Sequence, residues 1–277
     1  MQLVQLQQAQ RRFKDQGIGL AAISYDSEAI LKDFAERQHI TFPLLADPQS
    51  EIIRKYEVLN TEAKGMQQGM ALPGFFYIDS SGKIKEKFFE DAYTDRYTAN
   101  NVIAKLFPEL TEQAARKVDA AHIGLTLQQS DQVVVPGSHL ALIAEVSLGR
   151  DLHVYAPGVK GYLPIELKVE PAAEIKLDQS TYPQPKILWL KAIKERVPVF
   201  EGKFRITQDV TVSANRDLIR SLGQGKTISL QGELKYQACD KTTCYMPISV
   251  PVGWQVQIVP LDFQRSPEAI QHRPSSK

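Results

Sequence analysis

Cys239 and Cys244 are the only two cysteines in 277 residues, and the four residues Asp240-Lys-Thr-Thr243 separate them. The segments on either side, residues 228–237 and 248–252, carry strand-type residues, so the two sulfurs flank the mouth of a hairpin loop. Residues opposed across an antiparallel pair have Cα atoms roughly 4.5–5.5 Å apart, inside the window of about 4.4–6.8 Å that a disulfide spans. Three chemistries fit such a pair. A structural staple would close only a short loop, where the chain-entropy gain is least, in a chain long enough to bury a core unaided. A redox pair suits a small exposed turn, and Lys241 would favour a thiolate if its ammonium pointed at a sulfur. A zinc site needs more ligands at metal spacing, whereas His122, His139 and His153 stand singly along the chain.

The bulk composition narrows the classes further. A net charge of +1 and the lack of lysine and arginine clusters argue against nucleic acid as a partner. No run of about 18 apolar residues reads as a membrane span, and the first ten residues do not read as a signal peptide. No cofactor is expected.

Helical spacing from Leu3 to Phe13 is followed by residues 17–25 with the pattern of a buried parallel strand. Ser27 or Asp26 can cap a helix running to Gln38, and a loop at 40–48 leads to a third helix at 51–56. A hairpin over residues 70–90 and a helix over 98–106 close the segment, while Asp26, Asp47 and Asp79 read as caps and turn residues. This order makes an incomplete thioredoxin-like α/β unit. The stretches Ile23-Ser-Tyr-Asp-Ser27, Thr41-Phe-Pro-Leu-Leu-Ala-Asp-Pro48, Leu72-Pro-Gly-Phe-Phe-Tyr-Ile-Asp79 and Phe88-Phe-Glu-Asp-Ala-Tyr93 resemble the alkyl hydroperoxide reductase/thiol-specific antioxidant (AhpC/TSA, peroxiredoxin) family. The resemblance implies a redoxin domain over 1–107, with Pro73 as the cis-proline beside the reactive centre. It also implies a central strand and reactive cysteine ahead of Met1, so the chain reads as a fragment of a longer protein, and the unit as lacking the partner for strands near residues 20–24 and 75–78.

Residues 108–120 read as a linker helix. Beyond them, short runs rich in β-branched and aromatic residues, set between Gly, Pro and Asp turns, have the pattern of an all-β sandwich over 121–262. The polar tail, 263–277, reads as disordered. Here His153-Val-Tyr-Ala-Pro157, Gly161-Tyr-Leu-Pro164, Tyr182-Pro-Gln-Pro185, Val199-Phe-Glu-Gly202, Tyr236-Gln-Ala-Cys-Asp240 and Cys244-Tyr-Met-Pro247 resemble the immunoglobulin-like N-terminal domain of the DsbD thiol:disulfide interchange family. That resemblance implies Cys239 and Cys244 as the redox pair, and a covering aromatic for which Phe200 is the candidate. Glu201 and Tyr236 stand beside it as cap or partner-binding residues. Tyr236, like Tyr155, Tyr162, Tyr182 and Trp189, also reads as packing.

The whole is expected to be a bacterial thiol–disulfide redox protein with an antioxidant-type redoxin domain that is catalytically incomplete in these 277 residues. Thioredoxin-like or other thiol–disulfide proteins would be its partners, and its full-length parent would work in the periplasm or another extracytoplasmic space. The rival expectation is a binding or scaffold module with a permanent disulfide.

Overall fold

The computed structural model describes residues 2–90, 94–110, 115–190, 194–262 and 264–271. The chain divides into two compact units, Met1–Leu110 with Pro260–Lys277, and Thr111–Val259.

The first unit is α/β. Helix α1 (Gln2–Asp15) buries Leu6, Ala9 and Phe13, a stripe at helical spacing. Strand β1 (Ala22–Ser24) pairs in parallel with β2 (Leu44–Ala46), after α2 (Glu28–Gln38), whose N-cap is Ser27 accepting from the Ile30 amide. Helix α3 (Glu51–Lys55) starts on Asp47, whose carboxylate accepts from the amides of Glu51, Ile52 and Ile53, each at 2.9 Å. Strands β3 (Gly74–Ile78) and β4 (Ile84–Phe89) form an antiparallel hairpin, with Asp79 accepting from the Ser81 and Lys83 amides in its turn. Strand β5 (Arg96–Tyr97) precedes α4 (Ala99–Leu106), capped by Thr98. The core joins Leu6, Ala9, Phe13, Ile40, Phe42, Ala99 and Ile103, with Ala22 of β1 and Phe75 of β3 packed against it. Among the described residues no ladder joins β1–β2 to β3–β4, so β1 and β3 each keep one edge outside the ladders.

Three expectations are corrected here. The Leu72–Pro73 bond is trans, the form that X–Pro bonds favour by about 0.5–1 kcal/mol. Residues 108–120 are not one helix. They begin as a 3-10 turn, Pro108–Leu110, and end in strand β6 (Arg116–Val118), because Arg116, Lys117 and Val118 find backbone partners in Leu127, Thr126 and Leu125. Residues 111–114 lie outside the described part of the linker. The tail, for which disorder was expected, has a 3-10 turn at Glu268–Ile270 in its described residues, tied through Ser266 to the Asp33 carboxylate of α2.

The second unit is the immunoglobulin-like β-sandwich. One sheet has the order β12 (Ile175–Thr181), β15 (Lys203–Val212), β9 (Ser138–Leu148), β7 (Ile123–Gln129), β6. A second has the order β11 (Glu166–Val169), β16 (Lys226–Tyr236), β18 (Ile248–Ile258), β8 (Val133–Val134). Alternation sets the faces: on β18, Val250, Val252, Trp254, Val256 and Ile258 are buried while Ser249, Pro251, Gln255 and Gln257 are exposed. These side chains meet Leu140, Leu142, Ala144 and Val146 of β9 and Ile206, Val210 and Val212 of β15 in one core. A third sheet, β13 (Lys186–Leu190), β14 (Glu195–Glu201), β10 (His153–Tyr155), β17 (Ala238–Cys239), carries the cysteine site. The short helix α5 (Arg216–Ser221) connects β15 to β16.

Candidate functional site

Cys239 and Cys244 form a disulfide, with Cα atoms 4.0 Å apart and an isolated antiparallel bridge between them. The loop between them is knotted by Asp240. Its Oδ1 accepts from the amides of Thr242 and Thr243, both at 2.7 Å, and from the Thr242 hydroxyl at 2.9 Å. Its backbone amide donates to Thr243 O at 2.8 Å. These bonds, led by those from the Thr242 and Thr243 amides, hold the Asp240 carboxyl down at about 2. The two sulfurs are unequal: Cys239 is fully buried and Cys244 lies in the exposed class.

The β-ladders show what surrounds Cys239. His153 is its cross-strand partner on β10, and Glu201 of β14 is the partner of His153 on the other side, so Glu201, His153 and Cys239 make one row on one face of the sheet. Two residues along β10 the same face presents Tyr155. Its hydroxyl lies 3.8 Å from Cys244 Sγ, and its ring stacks on Tyr162 at 4.3 Å between centroids. Tyr155, Val197, Val199 and Cys239 form a small cluster closed by Val159, Tyr162, Leu188 and Leu190. Burial pushes the Tyr155 phenol up, and a 2.7 Å hydrogen bond to Glu195 pushes Tyr162 up to about 12.

His153 is 4 % exposed, and its Nε2 is buried without a hydrogen-bond partner. Burial holds its pKa below the usual imidazole value, against the opposing charges of Glu201 and Asp240.

Of the residues singled out in the sequence, Cys239, Cys244 and Glu201 come together on this face, Glu201 also pairing with Lys186 at 3.3 Å. Phe200 does not. It points to the opposite face of β14, as alternation from Val199 requires, and packs in the sandwich core between Tyr182 and Phe204. The cover beside the disulfide is Tyr155 with Tyr162. Tyr236 is a core residue whose hydroxyl donates to Ala121 O at 2.7 Å, and burial pushes it up to about 12. Lys241 is turned to Asp151 at 2.7 Å rather than to a sulfur. The signal for His153 and Tyr155 was their spacing, two residues apart on the strand that pairs with Cys239, which puts both on its face.

The two other histidines weighed as zinc ligands are engaged elsewhere: His122 stacks on Tyr245 at 4.0 Å, and His139 Nε2 meets the Thr211 hydroxyl at 2.7 Å. Among the described residues no group of three or more His, Cys, Asp or Glu side chains is placed to hold a metal ion, and no helix is long and apolar enough to cross a membrane.

Solved structures similar to this chain include the N-terminal periplasmic domain of ScsB from Proteus mirabilis, at 10% identity and a TM-score of 0.32, covering 54% of this chain and 52% of that one. Another is the DsbD N-terminal domain from Neisseria meningitidis in its reduced form, at 12% identity and a TM-score of 0.30, covering 57% of this chain and 98% of that one. The chain thus spans about half of the ScsB domain it matches. No curated protein matches the chain. Residues 1–87 match the model of the AhpC/TSA family and residues 125–252 match that of the N-terminal domain of thiol:disulfide interchange protein DsbD, so the chain is similar to a redoxin family over its first part and to a DsbD N-terminal domain over its second.

Proposed function

We propose that the protein transfers electron pairs by thiol–disulfide exchange through Cys239 and Cys244, with thioredoxin-like proteins as partners. The observation that supports this reading is the asymmetry of the disulfide, Cys244 an exposed residue of a tight loop and Cys239 fully buried. Exchange needs an in-line approach to one sulfur and departure of the other. A partner thiolate can reach Cys244, and Cys239 then leaves into a site walled by His153 and Tyr155. In the opposite direction Cys244 attacks a partner disulfide and Cys239 resolves the mixed disulfide. The tyrosine pair restricts which thiols approach, so reactivity depends on how a partner docks.

A pair of this kind is kept reduced in the cytosol, which places the working protein in the periplasm or another extracytoplasmic space. Residues 1–107 hold no cysteine, so within these 277 residues the exchange chemistry rests on Cys239 and Cys244. Equilibration with glutathione or dithiothreitol tests the reading. A reduction potential above about −300 mV is the exchangeable outcome, and one well below it makes the disulfide a permanent staple in a scaffold module.

A further inference from the structure

We propose that His153 is the proton acceptor for the Cys239 thiol when Cys239 resolves a mixed disulfide held on Cys244. This rests on the redox reading of the pair. His153 is the direct cross-strand neighbour of Cys239, which sets Cβ atoms about 4.5–5.5 Å apart on one face, a separation an imidazole spans toward a thiol. It is 4 % exposed, and its Nε2 has no partner while the cysteines are oxidised. A disulfide sulfur has no proton to offer, whereas a thiol does, so reduction supplies the donor that this buried nitrogen lacks.

The groups around His153 fit a base rather than an acid. Glu201 faces it from β14 and is itself paired with Lys186. The Asp240 carboxylate is spent on its own loop. The Tyr155 ring meets the imidazole edge to face, at 5.5 Å between centroids. Asp151, two residues away in sequence, is held by Lys241. Burial keeps the imidazole neutral around neutral pH, with the lone pair that proton acceptance needs.

The step balances as follows. The Cys239 proton passes to His153 Nε2, and the thiolate attacks the Cys244 sulfur. The bond from Cys244 to the partner's sulfur breaks, and that sulfur leaves with the electron pair as a thiolate. Across both steps the cysteine pair gives up two electrons, the partner disulfide becomes a dithiol, and His153 returns its proton to water.

The test uses the full chain, reduced with dithiothreitol, freed of it and mixed with dithiobis-nitrobenzoate. With two cysteines present, released thionitrobenzoate comes from this pair. The first equivalent marks attack by Cys244 and scales with reagent concentration; the second marks ring closure by Cys239 and does not. In the unchanged protein the second phase should be level between about pH 6.5 and 8.5, the span between ordinary imidazole and thiol values. His153→Phe should slow that phase about tenfold or more at pH 6.5 and leave it rising with pH, with the first phase unaltered. Rescue toward the original profile is not expected from His153→Gln, which keeps polarity without a base. The assignment is overturned if the second phase of the unchanged protein climbs tenfold per pH unit up to about 8.5, a result that stands even if a variant misfolds. It is also overturned if His153→Phe leaves both phases as they were. A chain whose cysteines stay oxidised under dithiothreitol until it unfolds refutes the redox reading itself, and His153 with it, and is recognised by the absence of both phases.

Discussion

Cys239 is buried whole and Cys244 is an exposed residue, so the two sulfurs are not equally placed for the first step of an exchange reaction. Cys244 should therefore form the mixed disulfide, and Cys239 should resolve it. With a thioredoxin-like partner reduced to its single attacking cysteine, Cys239→Ser is expected to accumulate a covalent complex through Cys244, while Cys244→Ser gives little. Non-reducing electrophoresis and peptide mapping read the outcome, and equal trapping by both variants would sink the order. Asp240 sets the loop's acid limit. Its folded pKa is depressed to about 2 by hydrogen bonds to its charged form, so its contribution is complete above the unfolded carboxyl value and fades as pH falls from about 4 toward 2. The protection of the Thr242 and Thr243 amides against exchange, taken relative to their intrinsic rates, should fall across that interval and should be low throughout in Asp240→Ala. Of this site the cysteine pair was legible in the sequence, because two thiols at hairpin spacing define their own chemistry. His153 was weighed only as an isolated zinc-ligand candidate and Tyr155 only as packing, because a lone histidine acquires meaning only when a ladder sets it opposite a sulfur.

At the scale of the strand, alternation reverses the roles expected of two aromatic residues, Phe200 as cover and Tyr155 as packing. Phe200 lies one residue past Val199 and so faces the sandwich core, whereas Tyr155 shares the Cys239 face. Phe200→Ala is thus expected to lower the stability of the second unit by about 3–5 kcal/mol without changing how fast the folded protein's disulfide reacts with dithiothreitol. Tyr162→Ala, which removes the ring stacked on Tyr155, should speed that reaction with little loss of stability. A faster reaction in the folded Phe200 variant would return the cap to Phe200. Glycine makes a separate demand at residue 232, where a Cβ would sit against the Lys168 carbonyl oxygen and 3.0 Å from Val169 Cα. Gly232→Ala should force β11 away from β16 and cost about 1–3 kcal/mol in urea unfolding. The long alternating strands of the sandwich were readable from their period-two pattern. Strand β15 runs unbroken from Lys203 to Val212, because its pairing with β9 carries through the polar Gln208 and Asp209. The linker was misread because Arg116, Lys117 and Val118 pattern as a solvated helix until the neighbouring strand offers its backbone.

Across the whole molecule, two family regions stand on one chain and both cysteines fall in the second. Thiol peroxidase chemistry needs a thiolate held where peroxide can be polarised and its leaving oxygen protonated. In the first unit the acidic side chains that a sequence reader would test for such a role are structural: Asp47 caps α3, and Asp79 holds the β3–β4 turn. Cys239 and Cys244 are tied to each other in a short loop, with the Tyr155 phenol beside Cys244. The 277-residue chain should therefore turn over no hydrogen peroxide or organic hydroperoxide, with dithiothreitol as reductant, beyond the rate of the double variant Cys239→Ser/Cys244→Ser. The same preparation should still pass electrons to dithiobis-nitrobenzoate in two phases, which shows that the thiols are present and competent. Peroxide consumption above the double variant, abolished by either single substitution, would mean that the exchange pair itself reduces peroxide and would reassign the antioxidant step from the redoxin region to the sandwich.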